Sequence, residues 1–246
     1  MPDSDGMSAS HFILMIEHEA STTETLATRL VRLGVEPIRV PDLSEAIAAV
    51  KSRQYAFGAV LLPSDLPGKL VRKAMKSMRR REPMLPAMAY GKKPDERQAA
   101  ALRAAGVLLA LWDGYDETVL RFQLNRLVAG DASSADRGAR RVPTHLPVRI
   151  QVGGREKVGM LYSLSQGGCF IETPRASMDG ARLRVLVTLG ETPLELDGLV
   201  VFANVPGNLQ RPNLPLGMGV RFVDLPSEAG CTISDFVQAR RHALEV

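Results

Sequence analysis

The sequence predicts an α/β domain followed by an all-β domain. The N-terminal half reads as a doubly wound parallel (βα)5 sheet, and the C-terminal half as a small antiparallel β-barrel with a closing helix. Three observations carry this. Short apolar runs alternate with helix-period segments from residue 11 to residue 128. A stretch of small polar residues, Ala129 to Asp136, then interrupts the pattern. Beyond it come short strand-like runs punctuated by Gly and Pro clusters.

The elements follow in order. His11 to Ile16 is an apolar run suited to a strand covered on both faces. Leu26, Leu30, Val31 and Leu33 recur at helical spacing and end at Gly34, a C-cap signal. Val35 to Val40 is strand-like, and Ser44 to Val50 is helical. Phe57 to Leu62 is a third strand, followed by a basic helix from Gly68 to Met78. Met84 to Ala89 and Val107 to Leu111 are the fourth and fifth strands, separated by an Ala-rich helix, Asp95 to Ala105. Asp116 to Val128 closes the first domain as an amphipathic helix.

In the second half, Val148, Ile150 and Val152 alternate with Arg149 and Gln151, as in a half-buried strand. Cys169 to Ile171, Leu183 to Val187, Leu199 to Phe202 and Met218 to Phe222 continue the series. A Gly153-Gly154 pair marks a hairpin turn. Ser227 to Leu244 reads as a closing helix. The expected organisation is a loose polar tail (1–10), an α/β domain (11–128), a linker (129–136) and a barrel domain (137–246).

Composition narrows the function classes. The 246 residues are 45% hydrophobic and 24% charged, which suits globular domains. Cys169 and Cys231 lie far apart and make neither a metal-spaced pair nor a disulfide framework. His11, His18, His145 and His242 lack metal-ligand spacing. Phosphate-binding loop, nucleophile-elbow and dinucleotide fingerprints are absent, so neither an enzyme nor a metal or cofactor is expected. Apolar runs are too short for a membrane span and the N-terminus is polar, which favours the cytoplasm. A net charge of +4 permits an anionic ligand.

The alternation over residues 11–128, with Pro67-Gly68 and Gly106 as punctuation, resembles response-regulator receiver domains. The chemistry of that family needs an acidic pair after the first strand, an Asp acceptor after the third and a Lys after the fifth. Glu17-His18-Glu19 retains some acid. The acceptor position falls on Pro63, which carries no nucleophile, and the Lys position falls on Asp113. Asp65 lies two residues beyond the acceptor position, in the loop. The resemblance therefore implies a pseudo-receiver, a platform for a protein partner rather than a phosphorylated switch.

Lys69, Arg72, Lys73, Lys76, Arg79, Arg80 and Arg81 form a basic stretch. In a helix, 69, 72, 73 and 76 share a face. The bland reading is a solvated helix; an acidic protein partner is the alternative. Specific DNA binding is not expected without a helix-turn-helix pattern or interleaved aromatics. Trp112, Tyr115 and Tyr162 read as packing residues.

Two local motifs stand in the second half. Arg137 to Arg141 gives Arg-x-x-x-Arg ahead of the first barrel strand. Ser163 to Gly168 gives Ser-x-Ser-x-x-Gly, expected as a turn after the second strand. In this order they resemble the PilZ family, whose signature is Arg-x-x-x-Arg followed by Asp/Asn-x-Ser-x-x-Gly. The resemblance covers residues 137–241 and includes Gly217 to Phe222.

That resemblance implies a cyclic di-GMP site formed by Arg137, Arg140, Arg141, Ser163, Ser165, Gly167 and Gly168. The chemistry is coherent. Arginine forks onto guanine O6 and N7, pairs with phosphate and stacks on bases. Serine hydroxyls bond polar edges, and glycines let backbone approach closely. Ser163 stands where the family has Asp or Asn. Losing a charged acceptor costs on the order of 1.5–3 kcal/mol, so weakened binding is implied. The expected function is a non-enzymatic effector controlling motility, biofilm or polysaccharide through protein interactions. The alternative is a constitutive adaptor in which both halves have lost their chemistry.

Overall fold

The computed structural model describes residues 12–17, 20–128, 141–210 and 214–246. The expected tail (1–10) and linker (129–136) lie outside them. The chain divides into two compact units, one of residues 1–134 with 243–246, the other of residues 135–242.

The first unit alternates β1 (Phe12–Ile16), α1 (Ala20–Arg32), β2 (Glu36–Val40), α2 (Leu43–Ser52), β3 (Phe57–Pro63), α3 (Gly68–Arg79), β4 (Ala87–Gly91), α4 (Glu96–Ala104), β5 (Leu109–Trp112) and α5 (Glu117–Val128). The sheet is parallel in the order β2-β1-β3-β4-β5. Both faces are covered, which is why its strands read as unbroken apolar runs. On β3, Val60 and Leu62 enter one core with Val71, Met75 and Met78 of α3. Ala59 and Leu61 enter the other with Leu26 and Leu30 of α1 and Leu120 and Leu124 of α5.

Local signals set the helix ends. The Asp42 carboxylate accepts from the Ser44 and Glu45 amides at 2.7 and 2.9 Å, capping α2. Asp95 caps α4 through the Gln98 amide at 2.8 Å. Gly106, past the end of α4, has φ +77°, open to glycine without strain.

The fourth and fifth strands start later than the sequence predicts, at Ala87 and Leu109. Met84 is 81% exposed. Leu85 is bound back to Glu82 in a turn, and pairing to β3 begins only at the Pro86 carbonyl, which accepts from Val60.

The second unit contains β6 (Val142–Val152), β7 (Arg155–Ser165), β8 (Gly168–Glu172), β9 (Arg182–Leu189), β10 (Thr192–Val205), β11 (Asn208–Leu209), β12 (Gly217–Phe222) and α6 (Ser227–Arg241). The strand order β10-β12-β8-β7-β6-β9 closes through pairing of β9 with β10, giving an antiparallel barrel with β11 outside the ring. The Gly153–Gly154 turn has positive φ at both residues, +55° and +72°, as a two-residue hairpin requires. Val148, Ile150, Leu164, Cys169, Val185, Val220 and Ile233 of α6 share the core.

The closing helix ends at Arg241, not at Leu244. The residues after it join the first unit. Glu245 pairs antiparallel with Leu109 of β5. The Ala110 amide donates to the Leu244 carbonyl at 3.0 Å, and the Val246 amide to the Leu108 carbonyl at 3.3 Å. The buried Gln123 amide of α5 donates to the Ala110 and Leu244 carbonyls at 2.7 and 2.6 Å.

Candidate ligand-binding site

In the first unit the positions expected to match receiver chemistry lie at the C-terminal ends of the strands. Pro63 is buried as the last residue of β3. The Ser64 hydroxyl beside it donates to the Lys92 carbonyl at 2.6 Å, so it is already engaged. Asp65 is exposed in the following turn. Asp113 is exposed after β5, its amide donating to the Gly91 carbonyl at 2.9 Å.

Sequence reasoning missed the partner of Glu17. Arg39, near the end of β2, donates to the Glu17 carboxylate at 2.9 Å and to Glu24 at 2.7 Å. The hydrogen bond that Arg39 donates to Glu24, seconded by the one to Glu17, holds the guanidinium above its ordinary pKa. A side-chain cation therefore already pairs with Glu17 after the first strand. The signal was the pairing of β2 beside β1, which puts Arg39 opposite Met15. Among the described residues no group of three or more His, Cys, Asp or Glu could hold a metal ion.

In the second unit, antiparallel pairing of β6 and β7 sets Pro143 opposite Ser163. This brings Arg141, the residue before β6, to Ser163: its Nη1 donates to the serine Oγ at 3.5 Å across a separation of 22 residues. The Arg141 end of the first motif and the start of the second thus meet. Arg137 and Arg140 lie outside the described residues.

The second motif is built differently from the expected turn. Ser163 and Ser165 are strand residues of β7, and Gly168 opens β8. Only Gln166 and Gly167 make the turn. Ser165 pairs with Gly168 and donates from its Oγ to the Gly168 carbonyl at 2.9 Å. Gly168 is needed for space, since a Cβ there would overlap the Val220 carbonyl oxygen of β12. The Gly167 carbonyl accepts from the Phe222 amide at 3.1 Å. The motif is a three-strand junction.

Ser163 and Ser165 are 3% and 1% exposed, and Arg141 is exposed. Tyr162, Phe170 and Phe202 cluster in sequence, Phe170 edge-on to Tyr162 at 5.9 Å and stacked on Phe202 at 5.8 Å. Tyr162 and Phe170 are buried, as packing residues are. Burial pushes the neighbouring Cys169 thiol up to about 12, with Arg141 pulling weakly the other way.

Among the described residues no helix is long and apolar enough to cross a membrane. Residues 135–239 match the family model of the PilZ domain. No curated protein matches the sequence. Among solved structures, the chain is similar to the inhibitor of motility MotI/DgrA of Bacillus subtilis, at 18% identity and a TM-score of 0.38, over 44% of this chain and 52% of that one. The chain thus spans about half the length of that protein. It is also similar to the PilZ domain of CeSA from a cellulose-synthesizing bacterium (14% identity, TM-score 0.31, 41% of this chain and 96% of that one). The signal receiver domain of an HD domain-containing protein from Pseudomonas fluorescens Pf-5 is similar at 17% identity and a TM-score of 0.45, over 54% of this chain and 96% of that one. No enzymatic family is indicated. The chain carries a PilZ domain at residues 135–239, C-terminal to a receiver-like unit with a parallel five-stranded sheet.

Proposed function

We propose that this protein is a cytoplasmic, non-enzymatic signalling effector that binds cyclic di-GMP at its PilZ domain and thereby changes the surface it offers to a protein partner. The observation that carries this reading is the approach of Arg141 to Ser163 across the β6–β7 register. Arg137, Arg140 and Arg141 supply forked donors to guanine edges and phosphates, and Ser163, Ser165, Gly167 and Gly168 form the floor. Both serines are buried, so a ligand touching either one must displace the atoms that cover it. That displacement is the switching event. The output is control of motility, biofilm or polysaccharide.

Calorimetric titration with cyclic di-GMP tests this on the full chain. Saturable heat is expected, lost in Arg141→Ala. Ser163→Asp restores a charged acceptor and is expected to tighten binding by roughly ten- to a hundredfold. Absence of heat in both wild type and Ser163→Asp rejects the reading. A constitutive adaptor is the second reading, and the burial of Ser163 and Ser165 favours it. It requires the double variant Arg137→Ala, Arg141→Ala to keep cellular function.

A further inference from the structure

Helix α3 presents an uncompensated basic ridge. Lys69, Arg72, Lys73, Lys76 and Arg80 are all exposed, on the side opposite the buried Val71, Ala74, Met75 and Met78. Arg79 is not part of it, because its guanidinium is turned to the Leu85, Ala105 and Gly106 carbonyls at 3.1, 3.2 and 3.1 Å. None of the five ridge residues has an ion-pair partner among the described residues. Elsewhere on the surface Arg39, Arg103, Arg121, Arg149 and Arg184 each face an acid.

The ridge works against its own helix. Positions 69 and 73, 72 and 76, and 76 and 80 are i,i+4 pairs of like charge, each destabilising. Lys69 sits in the first turn, which has no acid, so it opposes the helix dipole. The N-cap position is Pro67, without a side-chain cap bond. A helix that needed only to be soluble would have interspersed acids. An anion supplied from outside removes the penalty.

The neighbouring helices mix both signs, with Asp42, Glu45, Lys51 and Arg53 at the ends of α2 and Asp95, Glu96 and Arg97 at the start of α4, so the run of positive charge without interspersed acids is the one on α3. Leu70 flanks the bases and is 54% exposed, an apolar contact that a polypeptide can use and a phosphate backbone cannot. We propose that the Lys69–Arg72–Lys73–Lys76–Arg80 ridge docks an acidic polypeptide segment carrying apolar residues among its carboxylates.

The test is fluorescence anisotropy on the full chain, with a labelled peptide of alternating Glu and Leu, and a short DNA duplex in parallel. The peptide is expected to bind saturably and to weaken with salt. Lys73→Glu with Lys76→Glu should lose at least about tenfold in affinity. Lys51→Glu with Arg53→Glu, near the end of α2, should not. Lys73→Ala should raise the melting temperature while weakening the peptide, which separates binding from folding. Tighter binding of the duplex, equal binding by the charge-reversed ridge, or no peptide binding at low salt overturns the proposal.

Discussion

The Gln123 side-chain amide donates to the Leu244 carbonyl at 2.6 Å while also reaching the Ala110 carbonyl. One buried group on α5 therefore joins the edge strand of a parallel sheet to residues more than a hundred positions away. Arg126 beside it faces Glu245 at 3.7 Å, and Arg103 donates to the Val246 main-chain oxygen at 3.0 Å.

Gln123→Leu removes two donated bonds and leaves buried carbonyls without them. An equilibrium loss of about 1–3 kcal/mol is expected. Urea unfolding measures it. Hydrogen exchange should report the change at the Ala110 and Val246 amides before the rest of the sheet.

Gly168→Ala drives a methyl into the backbone of β12 at Val220, which cannot give as a side-chain tip can. The expected cost is about 1–3 kcal/mol, within the range for overpacked cores. Gly180→Ala makes a useful contrast, since nothing lies near its added Cβ and only its φ of +79° opposes the change. Denaturant midpoints of the two variants would rank them.

Tyr90 is buried, and its hydroxyl donates to the Ile16 carbonyl at 2.6 Å. Burial raises its pKa from 10.0 to about 12, and Cys169 rises from 9.0 to about 12 for the same reason. Both groups are neutral when protonated, so between the unfolded and folded values the unfolded chain holds fewer protons. Stability is then expected to fall as pH rises from about 9 toward 12, and not below. Thermal melts across alkaline pH check this. Tyr90→Phe should flatten its share at a cost of about 1 kcal/mol. A thiol reagent at neutral pH should label the exposed Cys231 and spare the buried Cys169 until the barrel unfolds.

The first unit should take no phosphoryl group from acetyl phosphate with magnesium. Pro63 offers no nucleophile, Arg39 already holds Glu17, and Asp113 adds negative charge at the position where the resemblance leads one to expect a cation. Pro63→Asp alone should remain unlabelled for the last two reasons. Radiolabel incorporation by that variant would show that the carboxylate is the sole missing part.

Most of the architecture was legible because strands covered on both faces leave apolar runs, and helices between them keep their 3.6-residue period. The start of β10 was missed. The expected strand begins at Leu199, whereas Leu194 and Leu196 already alternate with Glu195 and Asp197 in true strand fashion. Gly198, between these residues and Leu199, is the place where the Val220 side chain needs room. The helix period also carried on into Leu244, whose partners, Ala110 and Gln123, belong to the other half of the chain. At the candidate site, β6, the Gly153–Gly154 turn and β7 span the separation of 22 residues from Arg141 to Ser163, and their register brings the two together. Burial of Ser163 and Ser165 was not foretold. Alternation assigns a side chain to a face but does not say whether that face is covered.

The return of residues 243–246 to the first unit bears on how the protein can be dissected. A fragment cut after residue 134 would expose the Ala110 amide and the socket that Leu244 fills. Such an open, apolar edge recruits other strands, so the truncated piece should precipitate or associate where the intact chain does not. Supplying the missing strand, by a short loop that rejoins it to α5, would be the sound way to express that half alone.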